Sequence, residues 1–598
     1  MEVTIDRKAL KGGEFLIKET AAQSVFIPEE FNEEQRMMAQ ACSDFLESEV
    51  NSNLDRMESL EPGFMAHLLE KAGDLGLLGI SIPEEYGGLG MSFNTSMLVT
   101  DALGPAGSFS TAFGAHTGIG TLPIQYYGNE AQKAKYLPKL GTGEWKACYC
   151  LTEPDAGSDA NSGKTKAVLN EAGTHYLITG QKMWISNGGF ADIMIVFAKI
   201  DDDQNLTAFI VEKDFGGITL GDEEKKLGIK GSSTRQVFFD NTPVPIENML
   251  SDRQNGFKIA VNILNIGRIK LGAGAVGGGK AVANHAIRYA KERKQFKTPI
   301  ASFGAIQHKL AEMATKIYAS ESACYRAGQN IEDKIVELAQ GGLSKEEALL
   351  KGVEQFAIEC AILKVHASEM LDYVVDEGLQ VYGGMGFSAD APMERAYRDA
   401  RITRIYEGTN EINRMLLVGM ILRRAMKGEI DLMGPAMAVA DELLSMPKKS
   451  PLPEGIFGSE KELLGRLKKA ILLVAGKATQ DLGMGFKDEQ EILMNIADMV
   501  IEVYVAESTL LRTEKLVARI GEEACATQVK MAKLYLSQSV DKIFLSGKEA
   551  IASFVKEDEQ KIVLMGLKRF TKATLLNTKA LRREIAQFII EEGSHSFA

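Results

Sequence analysis

The hydrophobic period of this chain changes twice, and no other feature limits its fold more. From about Phe31 to Tyr136 apolar residues recur at helical spacing. Met37, Ala41 and Phe45 share one face, and Phe64, His67, Leu68, Ala72 and Leu75 share another. Between Lys146 and about Asn248 the spacing shortens to β-type runs, such as 192–199, 206–211 and 235–239, separated by Gly- and Asp-rich turns. Helical spacing returns near Gly256 and holds to about Lys427. The chain should therefore be mainly α with a central β domain. No helical pattern long enough for a crossover lies between the β runs, so the sheet should be mostly antiparallel.

A chain of 598 residues exceeds one ordinary core. The divisions expected are an arm over 1–30, a helical domain over 31–145 and a β domain over 146–250, followed by a helical bundle over 251–430, a linker over 431–455 and a C-terminal helical domain over 456–598. The arm mixes Gly, Lys and acids without a period and reads as loosely held. Met446-Pro-Lys-Lys-Ser-Pro-Leu-Pro453 reads as a stiff, exposed linker. After it, Ser459-Glu-Lys-Glu462 has the pattern of a capping box opening a helix with Leu463, Leu464, Leu467 and Ile471 on its apolar side.

A formal charge of −13 argues against general nucleic-acid binding. Six scattered cysteines do not make a disulfide framework, and Cys148-x-Cys150 lacks the second pair a zinc site needs. The histidines offer no pair at metal spacing, so no metal is expected. The first residues resemble neither a signal nor a transit peptide, and no run of about 18 apolar residues suggests a span. A bacterial cytoplasm is the expected setting. Gly272-Ala-Gly-Ala-Val-Gly277 matches a dinucleotide fingerprint, but a helical pattern precedes it instead of a strand. Close helix packing explains it better.

The segment Arg401-Ile-Thr-Arg-Ile-Tyr-Glu-Gly-Thr-Asn-Glu-Ile-Asn-Arg414 sets one carboxylate, Glu407, at a bend before a helix. Gly408 loosens the backbone there, and Thr409 or Asn410 can cap that helix. A glutamate held so, beside Tyr406, can be desolvated into a general base. A first-turn acid favoured by the helix dipole is the plainer alternative from the local pattern.

Three further blocks shift that balance: Cys148-Tyr-Cys-Leu-Thr-Glu-Pro-Asp-Ala-Gly-Ser-Asp159, Gly180-Gln-Lys-Met-Trp-Ile-Ser-Asn-Gly188 and Leu379-Gln-Val-Tyr-Gly-Gly-Met-Gly-Phe387. Together with Ile405-Tyr-Glu-Gly-Thr409, in this order, they resemble the acyl-CoA dehydrogenase family over roughly residues 30–430. The tail beyond resembles the very-long-chain branch. The resemblance implies an N-terminal helical domain, a small antiparallel β-barrel, a four-helix bundle and an additional C-terminal helical domain. It also implies FAD as cofactor, an acyl-CoA substrate with a preference for long chains, and an electron-transferring flavoprotein as acceptor.

By the same resemblance Glu407 is the base that removes the α proton. A branch that carries the base upstream would place it near Gly267, and glycine cannot serve. Flavin contacts would come from Tyr149, Cys150, Leu151, Thr152 and Ser158, from Trp184, Ile185 and Ser186, and from Gln380, Gly383 and Gly384. Thr409, Asn410 and Glu411 would lie near the adenosine half. Arg293, Gln295 and Phe296 resemble a stretch that reaches the flavin across a dimer interface, although Lys297 replaces a usual glycine. Substrate would meet Ser158, Asn265, Arg268, Tyr406 and Gly408. For Trp184 a place in the barrel core is the alternative, and for Ser158 a turn hydroxyl. A homodimer is implied, because the tail would cover the surface that shorter members bury by tetramerisation. The basic run over 568–572 could touch anionic lipid, but flanking acids make a solvated face the simpler reading. The competing readings are an acyl-CoA oxidase and a non-catalytic relative serving assembly or binding.

Overall fold

The computed structural model describes residues 10–443, 445 and 452–597. Seven helices form the first unit: α1 (Glu33–Phe45), α2 (Leu54–Glu58), α3 (Phe64–Asp74), α4 (Phe93–Leu103), α5 (Ser108–Gly114), α6 (Leu122–Tyr127) and α7 (Glu130–Thr142). Their faces meet in a core of Phe45, Leu68, Leu69, Leu103, Phe109 and Phe113. Asn32 and Asn129 each build a full capping box with a glutamine three residues on. Between α5 and α6 the backbone widens into a π-type turn over Ala115–Gly120. Such turns cluster at functional sites.

The β unit comprises β1 (Ala147–Cys150), β2 (Lys166–Leu169), β3 (His175–Ser186), β4 (Ile193–Ile200), β5 (Thr207–Glu212), β6 (Ile218–Leu220), β7 (Thr234–Pro245) and β8 (Met249–Leu250). The strand path runs β6-β7-β3-β2-β4-β5-β8, with β1 on β4. Most pairs are antiparallel, but β1–β4 and β2–β4 are parallel. These need no crossover helix, because the β2–β3 pair reverses the chain between them. Cys148 and Cys150 alternate with Tyr149 along β1 and sit in the barrel-side core as free thiols.

The bundle is built from α8 (Gly256–Glu292), α9 (Gly304–Gln340), α10 (Lys345–Gln355), α11 (Ala357–Tyr382), α12 (Pro392–Ala400) and α13 (Asn410–Met426), with a hairpin of β9 (Lys294–Gln295) and β10 (Thr298–Pro299) between the first two. The glycine run near Gly272 lies inside α8. A Cβ on Gly277 would lie 1.8 Å from the Asp101 carbonyl oxygen, and one on Gly104 would lie 2.2 Å from that of Gly274. Glycine is thus required for α4 and the turn after it to reach α8. The length and apolarity of α8 would suit a membrane span, but here it is the central helix of the bundle, packed on α4, α9 and α11.

The remaining helices are α14 (Met433–Leu443), α15 (Gly458–Leu482), α16 (Gln490–Ile520), α17 (Ala526–Phe554), α18 (Glu557–Phe570) and α19 (Thr578–Glu592). Three expectations change here. The capping box at Ser459 is not formed: α15 starts at Gly458 after Phe457, with no side-chain cap. The linker region contains α14, which packs on α15; of the Pro-rich stretch, 446–451 lies outside the described residues. The arm is not loose from residue 10 onward. Phe15, Leu16, Val25, Phe26 and Ile27 are buried, Phe15 meets Tyr504 edge to face at 4.8 Å, and Glu29 pairs with Arg512 at 2.7 Å. These apolar residues show no period because short 3-10 turns carry them onto a surface supplied some five hundred residues later.

Candidate active site

Glu407 stands at the bend before α13 with φ 59, a left-handed conformation that costs a non-glycine residue about 1–2 kcal/mol. Three groups hold it there. Arg268 Nε donates to the Glu407 carbonyl at 3.2 Å, Asn413 Nδ2 donates to the same oxygen at 3.3 Å, and Thr409 caps α13 by accepting from Ile412 N. Arg268 is itself oriented by Asn265 Oδ1 at 2.8 Å. Arg268, held by Asn265, thus steadies the backbone of Glu407. Gly408, at φ 81, serves the same bend.

The side chain of Glu407 faces a cavity of about 550 Å³. Its Oε2 is buried without a hydrogen-bond partner. Burial raises the carboxyl to about 7, against the pull of the Arg268 and Lys364 charges. A Cβ on Gly267 would lie 2.7 Å from Oε2, so the two positions address one point in space and glycine at 267 makes the room. Tyr406, Thr111, Leu103, Phe113 and Ile266 also line the wall, and the π-type turn contributes Ala115 and Thr117. Along α8 the lining runs from Ile263 to His285, roughly 33 Å at the helical rise.

The first two blocks meet beside this cavity. Lys182, fully buried in β3, donates to Glu153 Oε1 at 2.7 Å, Phe197 O at 2.7 Å and Leu151 O at 3.2 Å, locking β1, β3 and β4 together. The register shifts between Lys182 and Ile185, and Trp184 takes φ 60 at this bulge. The bulge throws Trp184 outward, 54% exposed, while Ile185 returns to the core. A core position for Trp184 is thereby ruled out. Ser186 lines the cavity. Tyr149 is buried with its hydroxyl unpartnered, and burial together with the nearby Glu407 carboxyl pushes the phenol up. Cys150 and Leu151 turn their side chains into cores, and Ser158 lies exposed in the loop beyond Thr152.

Other expected residues do not join this cluster. Arg293, Gln295 and Phe296 sit past the end of α8, roughly 39 Å along it from Gly267. Phe296 is 89% exposed at the hairpin tip. Gln380, Gly383 and Gly384 end α11 at the same end of the bundle, where Tyr382 stacks on Tyr289 at 3.9 Å. Asn410 is turned inward: its Oδ1 accepts from Lys364 at 2.6 Å and its Nδ2 donates to Glu369 at 3.0 Å. Glu411 remains near the helix start. Lys364, whose amine burial pushes down to about 7, was not anticipated; a lysine among the apolar neighbours of Cys360-Ala-Ile-Leu-Lys-Val365 was its one signal. Among the described residues no cluster of His, Cys, Asp or Glu could hold a metal ion.

Family models match in the same order as these units: the acyl-CoA dehydrogenase N-terminal domain over residues 32–144, the middle domain over 148–242, and C-terminal domain models over 254–422 and 466–569. The chain belongs to the acyl-CoA dehydrogenase family. A probable acyl-CoA dehydrogenase of Bacillus subtilis (strain 168) is 45% identical over 97% of this chain and 98% of its own length. The very long-chain specific acyl-CoA dehydrogenase of Homo sapiens mitochondria is 36% identical over 85% of this chain and 79% of its own. A crystal structure of an acyl-CoA dehydrogenase complexed with FAD from Bacillus anthracis superposes with a TM-score of 0.96 at 45% identity, covering 98% of this chain and all of that one. The second acyl-CoA dehydrogenase C-terminal model falls on the tail, so α15 to α18 are also a family element.

Proposed function

We propose that this enzyme oxidises long-chain acyl-CoA to trans-2-enoyl-CoA in fatty-acid β-oxidation, with Glu407 taking the α proton. The observation that carries the reading is a carboxyl raised to about 7, unpartnered at Oε2, on the wall of a long apolar cavity. Near neutral pH a base of that strength is both partly ionised and strong enough to accept a carbon-bound proton. The backbone N–H of Glu407 donates to no group among the described residues, which leaves it for a thioester oxygen. Roughly 33 Å of lining along α8 suits a long chain better than a butyryl one.

The residues present fit FAD. Ser186 borders the cavity and Thr152 lies just past the end of β1. Trp184 offers an exposed ring on a strained bulge, and a Cβ on Gly383 or Gly384 would meet nothing within 4 Å. FAD, when bound, supplies the hydride acceptor that no side chain provides. The distance from Glu407 to Arg293, Phe296 and Gln380 supports a homodimer in which these residues serve the flavin of the second subunit. An electron-transferring flavoprotein is the proposed acceptor. Glu407→Gln tests the assignment. The variant should keep its FAD and bind substrate while flavin reduction slows by about 10²–10⁴. Reduction at the parental rate would show that another group is the base, and rapid peroxide formation in air would replace the dehydrogenase reading with an oxidase.

A further inference from the structure

Lys270 stands one helical turn from Gly267 on α8 and lines the cavity that holds Glu407. Its amine pairs with no group among the described residues, and burial alone lowers it to about 8. Lys270 is half-buried, whereas more deeply buried lysines are matched: Lys182 with Glu153, Lys468 with Glu507, Lys364 with the Asn410 amide oxygen. Lys270 also borders a mostly apolar chamber of about 20 Å³ whose polar lining is Ser81, Ser96, Thr100, Thr117 and Gln125, with room for about one water. The protons of Ser96, Thr100 and Thr117 are already given to helix carbonyls, and Gln125 Oε1 is buried without a partner. The chamber therefore offers lone pairs to an ammonium but no negative charge.

We propose that Lys270 recognises a carboxylate carried on the acyl chain, so that the cavity accepts ω-carboxyacyl-CoA and Lys270 determines that specificity. The proposal rests on acyl-CoA oxidation at Glu407 and adds the chemistry of the chain. Lys270 lies on the cavity wall, and the adjoining chamber offers it only neutral oxygens. A hydrocarbon chain alone would displace water from that face and leave a buried cation with no counterion, an unfavourable arrangement. A carboxylate supplies the missing charge in a low-dielectric site where a direct hydrogen-bonded pair is strong. Lys270 lies roughly 4.5 Å along α8 from the point opposite Glu407, so the carboxylate belongs several carbons beyond the reacting pair.

Flavin bleaching and steady-state rates should be measured on the holoenzyme with glutaryl-, adipyl-, suberyl- and sebacyl-CoA, each beside the unsubstituted acyl-CoA of equal length. At least one ω-carboxyacyl-CoA should bleach the flavin. Lys270→Met should lower kcat/KM for it on the order of 10²-fold, mostly through KM, and far more than for the unsubstituted chain of equal length. Lys270→Arg should keep part of the preference. Bleaching by unsubstituted chains and by no ω-carboxy counterpart overturns this proposal alone. An equal loss on both series in Lys270→Met, with FAD retained, also overturns it and makes the lysine structural. Bleaching by neither series overturns this proposal, and bleaching by neither series nor by palmitoyl-CoA overturns the dehydrogenation reading as well.

Discussion

Glu407 combines a strained backbone, a buried carboxyl and two nearby cations that do not touch it within ion-pair distance. Burial disfavours the carboxylate, and Arg268 and Lys364 partly restore it. The base works only when ionised, so kcat/KM should rise with pH along a limb near 7. Arg268→Met removes the largest restoring charge and should move that limb to higher pH, whereas Arg268→Lys should move it less. A pH profile of flavin reduction in the three proteins checks this; a limb that stays put in Arg268→Met would deny Arg268 its electrostatic part. At this scale the glutamate, the flexible Gly408 and the Thr409 cap were all legible in the sequence. Burial of the carboxyl is non-local. Its neighbours Gly267, Arg268 and Tyr149 come from positions far off in the chain, so no local pattern could show it.

Among elements, the β9–β10 hairpin is the most strained connection near an expected cofactor contact. Phe296 and Lys297 have φ 51 and φ 63, the backbone of a tight turn that favours glycine or asparagine. Lys297→Gly should relieve roughly 1 kcal/mol of that strain and raise the thermal unfolding midpoint slightly, with FAD content unchanged. A lower midpoint would mean that the lysine side chain stabilises the turn in some other way. The hairpin's apolar tip shows why sequence can name a contact without placing it. Arg293-Lys-Gln-Phe296 is recognisable as a string, yet its distance from Glu407 comes from the straightness of α8. The same holds for the Trp184 bulge: alternation along a strand assigns an inward or outward face, and one shifted register reverses it.

Across the whole molecule, the C-terminal helices complete the bundle. Arg512 on α16 is buried between Glu29 and Glu321, each at 2.7 Å, and Arg326 on α9 pairs with Glu507 at 2.9 Å. Removing residues from 447 onward should strip these partners, leave buried charges uncompensated and expose the apolar side of α9 and α13. Light scattering should then show aggregation or an altered oligomeric state in the truncated chain; an unaltered, soluble dimer would refute that account. Two of the basic residues in and after the run over 568–572 are paired. Arg569 pairs with Glu442 and Arg582 with Glu312.

The alternation of helical and β periods, and four short blocks in order, determined class and family from sequence alone and singled out the candidate base, because periodicity and turn chemistry are local properties. Tertiary structure decided what depends on distant segments meeting. It packed the unpatterned arm against α16 through Phe15 and Glu29, and it joined Asn265, Arg268 and Glu407, and Lys364 and Asn410, by hydrogen bonds that no local pattern shows. It also left Lys270 facing the cavity without a counterion, since burial and charge pairing are sums over neighbours that the linear order does not contain.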